Sequence, residues 1–215
     1  MIRCFVTDCS PLGDPAVYDR AYALISDARK GKADFYRFPT DRMLSVTAGL
    51  FLRLIERSYG AVTEDGNGKL RCPGIEFNLS HSGHYVAFAL SEDPVGIDIE
   101  AVGRNRDIAK RVMDPQEYSD FMDTVGEKDR NEVFARMWTA KESYMKALGL
   151  GFRLPPESFR VLYGYDIRSP DGTMPICELA PPEGFRICVC GDGDCTIRPV
   201  GVEELMDARS FGDIL

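Results

Sequence analysis

The stretch PVGIDIE, Pro94 to Glu100, reads as a short strand that carries two carboxylates. Side chains alternate along a strand, so Asp98 and Glu100 share one face while Ile97 and Ile99 share the other. Two like charges about 6–7 Å apart on one face repel unless a cation stands near them. A hard divalent cation such as Mg2+ accepts such oxygens and keeps water or phosphate in its other positions. The plain alternative is a solvated strand face, and Asp98 and Glu100 alone do not decide between the two.

A second stretch, FARMWTAKESYMKALGLG, has helical periodicity. Phe134, Met137, Trp138, Tyr144, Met145 and Leu148 form an apolar arc. Glu142 lies at its border and Lys146 one turn further on. That pair alone is compatible with an exposed i,i+4 ion pair. Lys141, however, falls inside the apolar arc, where a lysine is out of place. A polyanion cradled by Lys141 and Lys146 beside a metal-binding Glu142 accounts for all three residues. A third stretch, FNLSHSGHY, places Ser80, His81, Ser82 and His84 where a strand enters a turn at Gly83. The G-x-S-x-G elbow of serine hydrolases is absent. Hydroxyl, imidazole and backbone N–H groups at a turn suit a phosphate, and a structural histidine at 81 is an equal alternative.

These residues need elements to hold them. IRCFVTD reads as an opening strand. Residues 14–30 suit a helix, and a longer one runs from Thr40 or Asp41 to about Tyr59, with Gly60 fitting its end. IEFNLSHS, HYVAFALS and PVGIDIE read as strands, with SEDP suggesting a hairpin between the last two. NRDIAKRVM and DPQEYSDFM read as helices, and the long helix spans about Lys128 to Leu148. The tail alternates strands and turns through FRVLYG, MPICEL, FRICVC and CTIRPV. The order describes an α+β chain of two similarly sized halves, 1–101 and 102–215, meeting near the metal-type strand.

The 215 residues suffice for a substantial core, and with 44% hydrophobic and 28% charged residues the composition is that of an ordinary globular chain. No apolar run reaches membrane-spanning length, and no signal peptide is evident, so a cytoplasmic location is expected. A net charge of −8 argues against non-specific nucleic-acid binding. The seven cysteines are scattered. Cys177, Cys188, Cys190 and Cys195 lack the paired C-x2-C spacing of structural zinc, and packed strand thiols are the leading expectation, with metal or redox chemistry as the alternative.

FNLSHSG, GIDIE and WTAKESYMKALGLG, in that order and at that spacing, resemble the 4′-phosphopantetheinyl transferases of the double-length Sfp type. GNGKL before the first motif resembles the family's Gly-Lys segment. The resemblance is dense from about Lys69 to Phe159. It implies two α/β halves related by a pseudo-twofold, with coenzyme A in the cleft between them. It also implies transfer of the 4′-phosphopantetheine arm of coenzyme A to a serine of an acyl- or peptidyl-carrier protein, releasing adenosine 3′,5′-bisphosphate. On the same basis Asp98, Glu100 and Glu142 hold Mg2+, and Glu142 and Lys146 are catalytic. Lys69, Ser80, His81, Lys141 and Lys146 meet phosphates. Basic residues near the first long helix are expected to join them, Arg42 ahead of Arg29 and Lys32. A monomer is expected, since the shorter trimeric synthases carry one half per chain. The segment from Ala101 to Arg130 is the expected carrier-docking region, through Arg104, Arg106, Lys110, Arg111, Ile108, Val112 and Met113; an ordinary amphipathic helix is the alternative. Two rival activities use the same residues: a Mg2+-dependent coenzyme A pyrophosphohydrolase and a non-catalytic coenzyme A- or carrier-binding module.

Overall fold

The chain is described by a computed structural model covering residues 1–66, 68–103 and 108–215. In chain order the elements are β1 (Ile2–Asp8), α1 (Pro15–Leu24), α2 (Asp27–Phe35), α3 (Pro39–Tyr59), β2 (Thr63–Glu64), β3 (Leu70–Arg71), β4 (Glu76–Ser82), β5 (Tyr85–Ser91) and β6 (Gly96–Ala101). Then follow α4 (Ala109–Val112), α5 (Pro115–Thr124), α6 (Arg130–Leu148), β7 (Leu162–Tyr163), β8 (Asp166–Ile167), β9 (Ile176–Leu179), β10 (Phe185–Cys190), β11 (Cys195–Pro199) and α7 (Val202–Asp207). The α+β composition matches the expectation. The helix foreseen over 14–30 is two helices: α1 starts on the Asp14 side chain, which caps Ala16 and Val17, and ends at Ile25, which is extended.

Two sheets matter for the site. One has the order β11-β1-β5-β4, and the other β6-β10-β9. The first is covered by α3, whose Leu50, Phe51, Leu54 and Ile55 are buried with Phe5, Phe88 and Phe211. Phe51 stacks on Phe88 with ring centroids 4.8 Å apart. The expected hairpin between the second and third β-segments is not formed. β5 instead pairs with β4 through the tight turn at Gly83 (φ +58°) and with β1. β6 leaves for the other sheet and pairs antiparallel with β10, bringing Asp98 opposite Cys188. Because Ile97 and Ile99 are both fully buried, β6 needs neighbours on more sides than a hairpin edge supplies.

β4 and β6 meet through side chains. Asn78, Ser80 and Ser82, at every second position of β4, all reach β6. Asn78 Oδ1 accepts from the Ile97 N–H (2.9 Å), and Ser82 Oγ accepts from the Ala101 N–H (3.1 Å). Helix α6 lies on the sheet holding β6, and Gly96 permits that approach. A β-carbon there would fall 2.1 Å from the Ser143 carbonyl oxygen and 2.4 Å from the Ala147 nitrogen. The glycine that opens GIDIE therefore sets the distance between the strand and the helix carrying Glu142.

The apolar residues expected to dock a partner, Val112 and Met113, are buried in the core beneath α5 and α6, with Ile108 packed against them. That expectation is corrected: they serve the fold because the short α4 turns its apolar side inward. Lys110 and Arg111 are exposed, and Arg104 and Arg106 lie outside the described residues.

Candidate active site

Three carboxylates line one small pocket. Asp98 and Glu100 come from β6 and Glu142 from α6, joined by Leu79, Ser80, His81, Trp138 and Lys146. The alternation on β6 puts Asp98 and Glu100 on the face opposite the buried isoleucines, as the sequence indicates. Ser80 donates to Asp98 Oδ1 at 2.6 Å, and Ser82 donates to Glu100 Oε2 at 3.0 Å. The two serines of FNLSHS thus orient the two carboxylates of GIDIE.

Lys146 reaches into the same place. Its Nζ lies 2.5 Å from Asp98 Oδ1 and 4.0 Å from Glu142 Oε2, and it also donates to Ser80 Oγ at 3.2 Å. Asp98 Oδ2 is buried without a hydrogen-bond partner among the described residues. Burial raises the pKa of Glu142; Lys146 pulls it back down, while Asp98 and Glu100 push it further up. Among the described residues no three His, Cys, Asp or Glu side chains already stand in metal-holding proximity. The donor set nevertheless suits a hard divalent cation. It offers carboxylate oxygens only, one of them buried and unsatisfied, on a strand and a helix held at fixed separation.

Beside this pocket opens a cavity of about 850 Å³. The two share Leu79, His81 and Lys146. Leu44, Leu52, Leu70, Phe77 and Leu79 supply apolar wall, and Arg29, Lys32, Lys69, Arg153, His81 and Lys146 supply cationic or protonatable groups. Lys69 donates to the Lys146 carbonyl at 3.0 Å, and burial lowers its pKa. His81 sits in the cleft with part of its surface open to solvent. Desolvation, followed by the Lys146 ammonium, lowers its pKa, and a bound anion would favour the protonated ring.

The structure brings together Lys69, Ser80, His81, Asp98, Glu100, Glu142 and Lys146, but it separates two other expected ligands from them. Lys141 is fully buried on the far side of α6. It pairs with Glu117 at 2.7 Å and donates to the carbonyls of Pro156 (2.7 Å) and Phe159. It is a core ion pair rather than a phosphate ligand: its position inside the apolar arc means that it points into the protein. Arg42 is exposed and donates to the carbonyl of the cavity-lining Tyr36 at 2.8 Å, without lining the cavity itself. Arg29 and Lys32, ranked behind it, line the cavity from α2, alongside Asp41, Leu44 and Ser45 from the first turns of α3, where the Arg42 side chain is exposed. Arg29 is held by the Ser45 carbonyl at 2.8 Å. Sequence reading missed Trp138, Phe152 and Arg153. The last two follow the left-handed Gly149 that ends α6, and GLG was a visible signal that the chain turns there.

Residues 94–174 match the 4′-phosphopantetheinyl transferase superfamily. A 4′-phosphopantetheinyl transferase of Bacillus subtilis is 31% identical over 189 residues, covering 80% of this chain and 84% of that protein. The 4′-phosphopantetheinyl transferase psf-1 of Bacillus pumilus is 29% identical and covers 95% of this chain and 94% of its own length. The 4′-phosphopantetheinyl transferase Sfp of Bacillus subtilis strain 168 is 36% identical over 62% of this chain and 64% of its own. With three motifs in register and similarity along most of the length, the chain belongs to the 4′-phosphopantetheinyl transferase family.

Proposed function

We propose that this protein transfers the 4′-phosphopantetheine arm of coenzyme A to a serine of an acyl- or peptidyl-carrier protein, releasing adenosine 3′,5′-bisphosphate. The observation that carries the proposal is the junction of two sites. A carboxylate pocket on β6 and α6 opens into a large cavity lined by cations and apolar side chains, and Lys146 and His81 line both. That combination suits a pyrophosphate at the junction, with the rest of a long, amphipathic coenzyme in the cavity.

Asp98, Glu100 and Glu142 would hold Mg2+, which when bound neutralises pyrophosphate charge and orients the scissile bond. Ser80 and Ser82 fix the two strand carboxylates, so little reorganisation is needed on loading. Lys146 leaves Asp98 for the phosphates and stabilises charge on the departing bisphosphate. Lys69, His81, Arg29, Lys32 and Arg153 bind and orient the coenzyme's phosphate groups. The carrier serine hydroxyl attacks the β-phosphorus as the bond to the bisphosphate oxygen breaks. Glu142 is placed to take the hydroxyl proton, directly or through a water. The chain divides in sequence as two halves, 1–101 and 102–215, in a pseudo-twofold arrangement that exchanges elements, β6 pairing into the sheet of the second half and β11 and α7 returning to the first. The division is supported by a cavity that draws on residues 29–81 from one half and 146–153 from the other. We take it to act as a monomer on a protein partner rather than on nucleic acid, in keeping with its net charge of −8.

The test is intact mass spectrometry of several apo carrier proteins incubated with the protein and coenzyme A, with and without Mg2+. The expected outcome is a gain of one phosphopantetheine on a carrier, only with metal. Consumption of coenzyme A with no carrier modified would replace transfer by pyrophosphate hydrolysis. Coenzyme A binding with neither outcome, across fatty-acid, polyketide and peptide carriers, would reduce the protein to a binding module.

A further inference from the structure

Two thiols far from the carboxylate pocket in the chain meet where the two sheets come together. Cys177 lies on β9, the edge strand of the three-stranded sheet, and Cys195 begins β11, the edge strand of the four-stranded one. Cys195 Sγ donates to Cys177 Sγ at 2.7 Å across 18 residues of sequence. Both are half-buried at the rim of the apolar cluster between the sheets, and Cys4 of β1 lies fully buried behind them. The other thiols, Cys9, Cys72, Cys188 and Cys190, are buried. Nothing in the proposed transfer uses the pair.

We infer that Cys177 and Cys195 form a thiol–disulfide exchange site that reversibly staples the edge strands of the two sheets. The geometry distinguishes the roles. Cys177 accepts the Cys195 hydrogen bond, so the Cys195 proton lies between the two sulfurs and Cys177 is the thiol that meets an oxidant first. Cys195 is held well up, to about 12, by burial and by the thiol beside it, and it stays protonated until its partner has reacted. With a low-molecular-weight disulfide RSSR as oxidant, the Cys177 thiolate attacks one sulfur and expels RS−, leaving a mixed disulfide. Cys195 then attacks Cys177 Sγ, its proton passing to solvent, and a second RS− leaves. The two thiol protons end on the two released thiols, so the protein is oxidised by two electrons as RSSR is reduced to 2 RSH. Cys4, sealed beneath, takes no part.

The experiment uses the full chain in glutathione buffers of increasing oxidised fraction, quenched with an alkylating agent and read by intact mass and peptide mapping. The expected result is a species two hydrogens lighter with a Cys177–Cys195 linked peptide, reversed by dithiothreitol. Closing an 18-residue separation should raise Tm by roughly 5–10 °C. Cys195→Ser should trap a glutathione adduct on Cys177, and Cys177→Ser should leave Cys195 unmodified. Separate glutathione adducts on both cysteines of the wild type, a link through Cys4, or a protein still reduced in fully oxidised buffer would each overturn the inference.

Discussion

Lys141 and Lys146 sit five residues apart on one helix, and each pairs with a carboxylate, yet the two pairs do different work. Lys141 and Glu117 are both sealed from solvent, and the polar side-chain atoms of both are engaged. Glu117 also accepts from the backbone N–H groups of Val161 and Leu162 at 2.9 and 2.8 Å, and from that of Asp114. This pair ties α5, α6 and the segment before β7 together. Lys146 and Asp98 lie in an open pocket, and Asp98 keeps one oxygen unsatisfied. A completed network belongs to the fold; an incomplete one beside a cavity has a place for a ligand.

Three measurements sharpen that contrast. The largest effect is expected from Lys141→Ala, which leaves the Glu117 charge buried without a counter-ion. Denaturant melts should show a loss of about 3–5 kcal/mol that Mg2+ does not restore. Pairing Lys141→Met with Glu117→Leu should recover much of it, because an apolar pair of similar size has no charge to desolvate. A double variant as unstable as the single one would mean that the backbone bonds of Glu117, and not the charge pair, hold this region.

Lys146→Ala should cost less, about 1–3 kcal/mol, since Asp98 keeps its Ser80 hydrogen bond. Here millimolar Mg2+ should restore stability, because the cation takes over neutralisation of Asp98. Transfer to a carrier should still fall by about 10²–10³-fold. Stability unchanged by Mg2+ in this variant would place the metal elsewhere. The smallest effect concerns Glu142. Its folded pKa is raised, so the protein binds this proton more tightly than the unfolded chain does. The corresponding stability is full below the ordinary glutamate range and is lost as pH rises through the raised value. Metal-free melts across that interval should show the decline, and Glu142→Gln should flatten it. A decline of equal size in Glu142→Gln would assign it to other groups.

The residues show how far sequence reaches here. GIDIE announced its two-faced strand because a period of two is a local property. Asp114-Pro115 announced α5, where Asp114 and Glu117 form a reciprocal cap. The lysine inside the apolar arc of α6 was visible too, but not its meaning. Its partner Glu117 lies 24 positions earlier on another helix, and periodicity says which way a side chain points without saying what waits there. The same gap explains Arg42 and Arg29: each is a cation near the start of its own helix, α3 and α2, and only the packing of the two helices decides which faces the cavity.

The sequence by itself determined the α+β class, the family, and the strand and helix that carry Asp98, Glu100, Glu142 and Lys146, because pattern and motif spacing are properties of neighbouring residues. Only the tertiary structure decided that β6 leaves its expected hairpin for β10, that Ser80 and Ser82 orient the carboxylates, that Lys141 belongs to the core, and that Cys177 meets Cys195. Each of those is a contact between distant segments, fixed by which buried faces fit together.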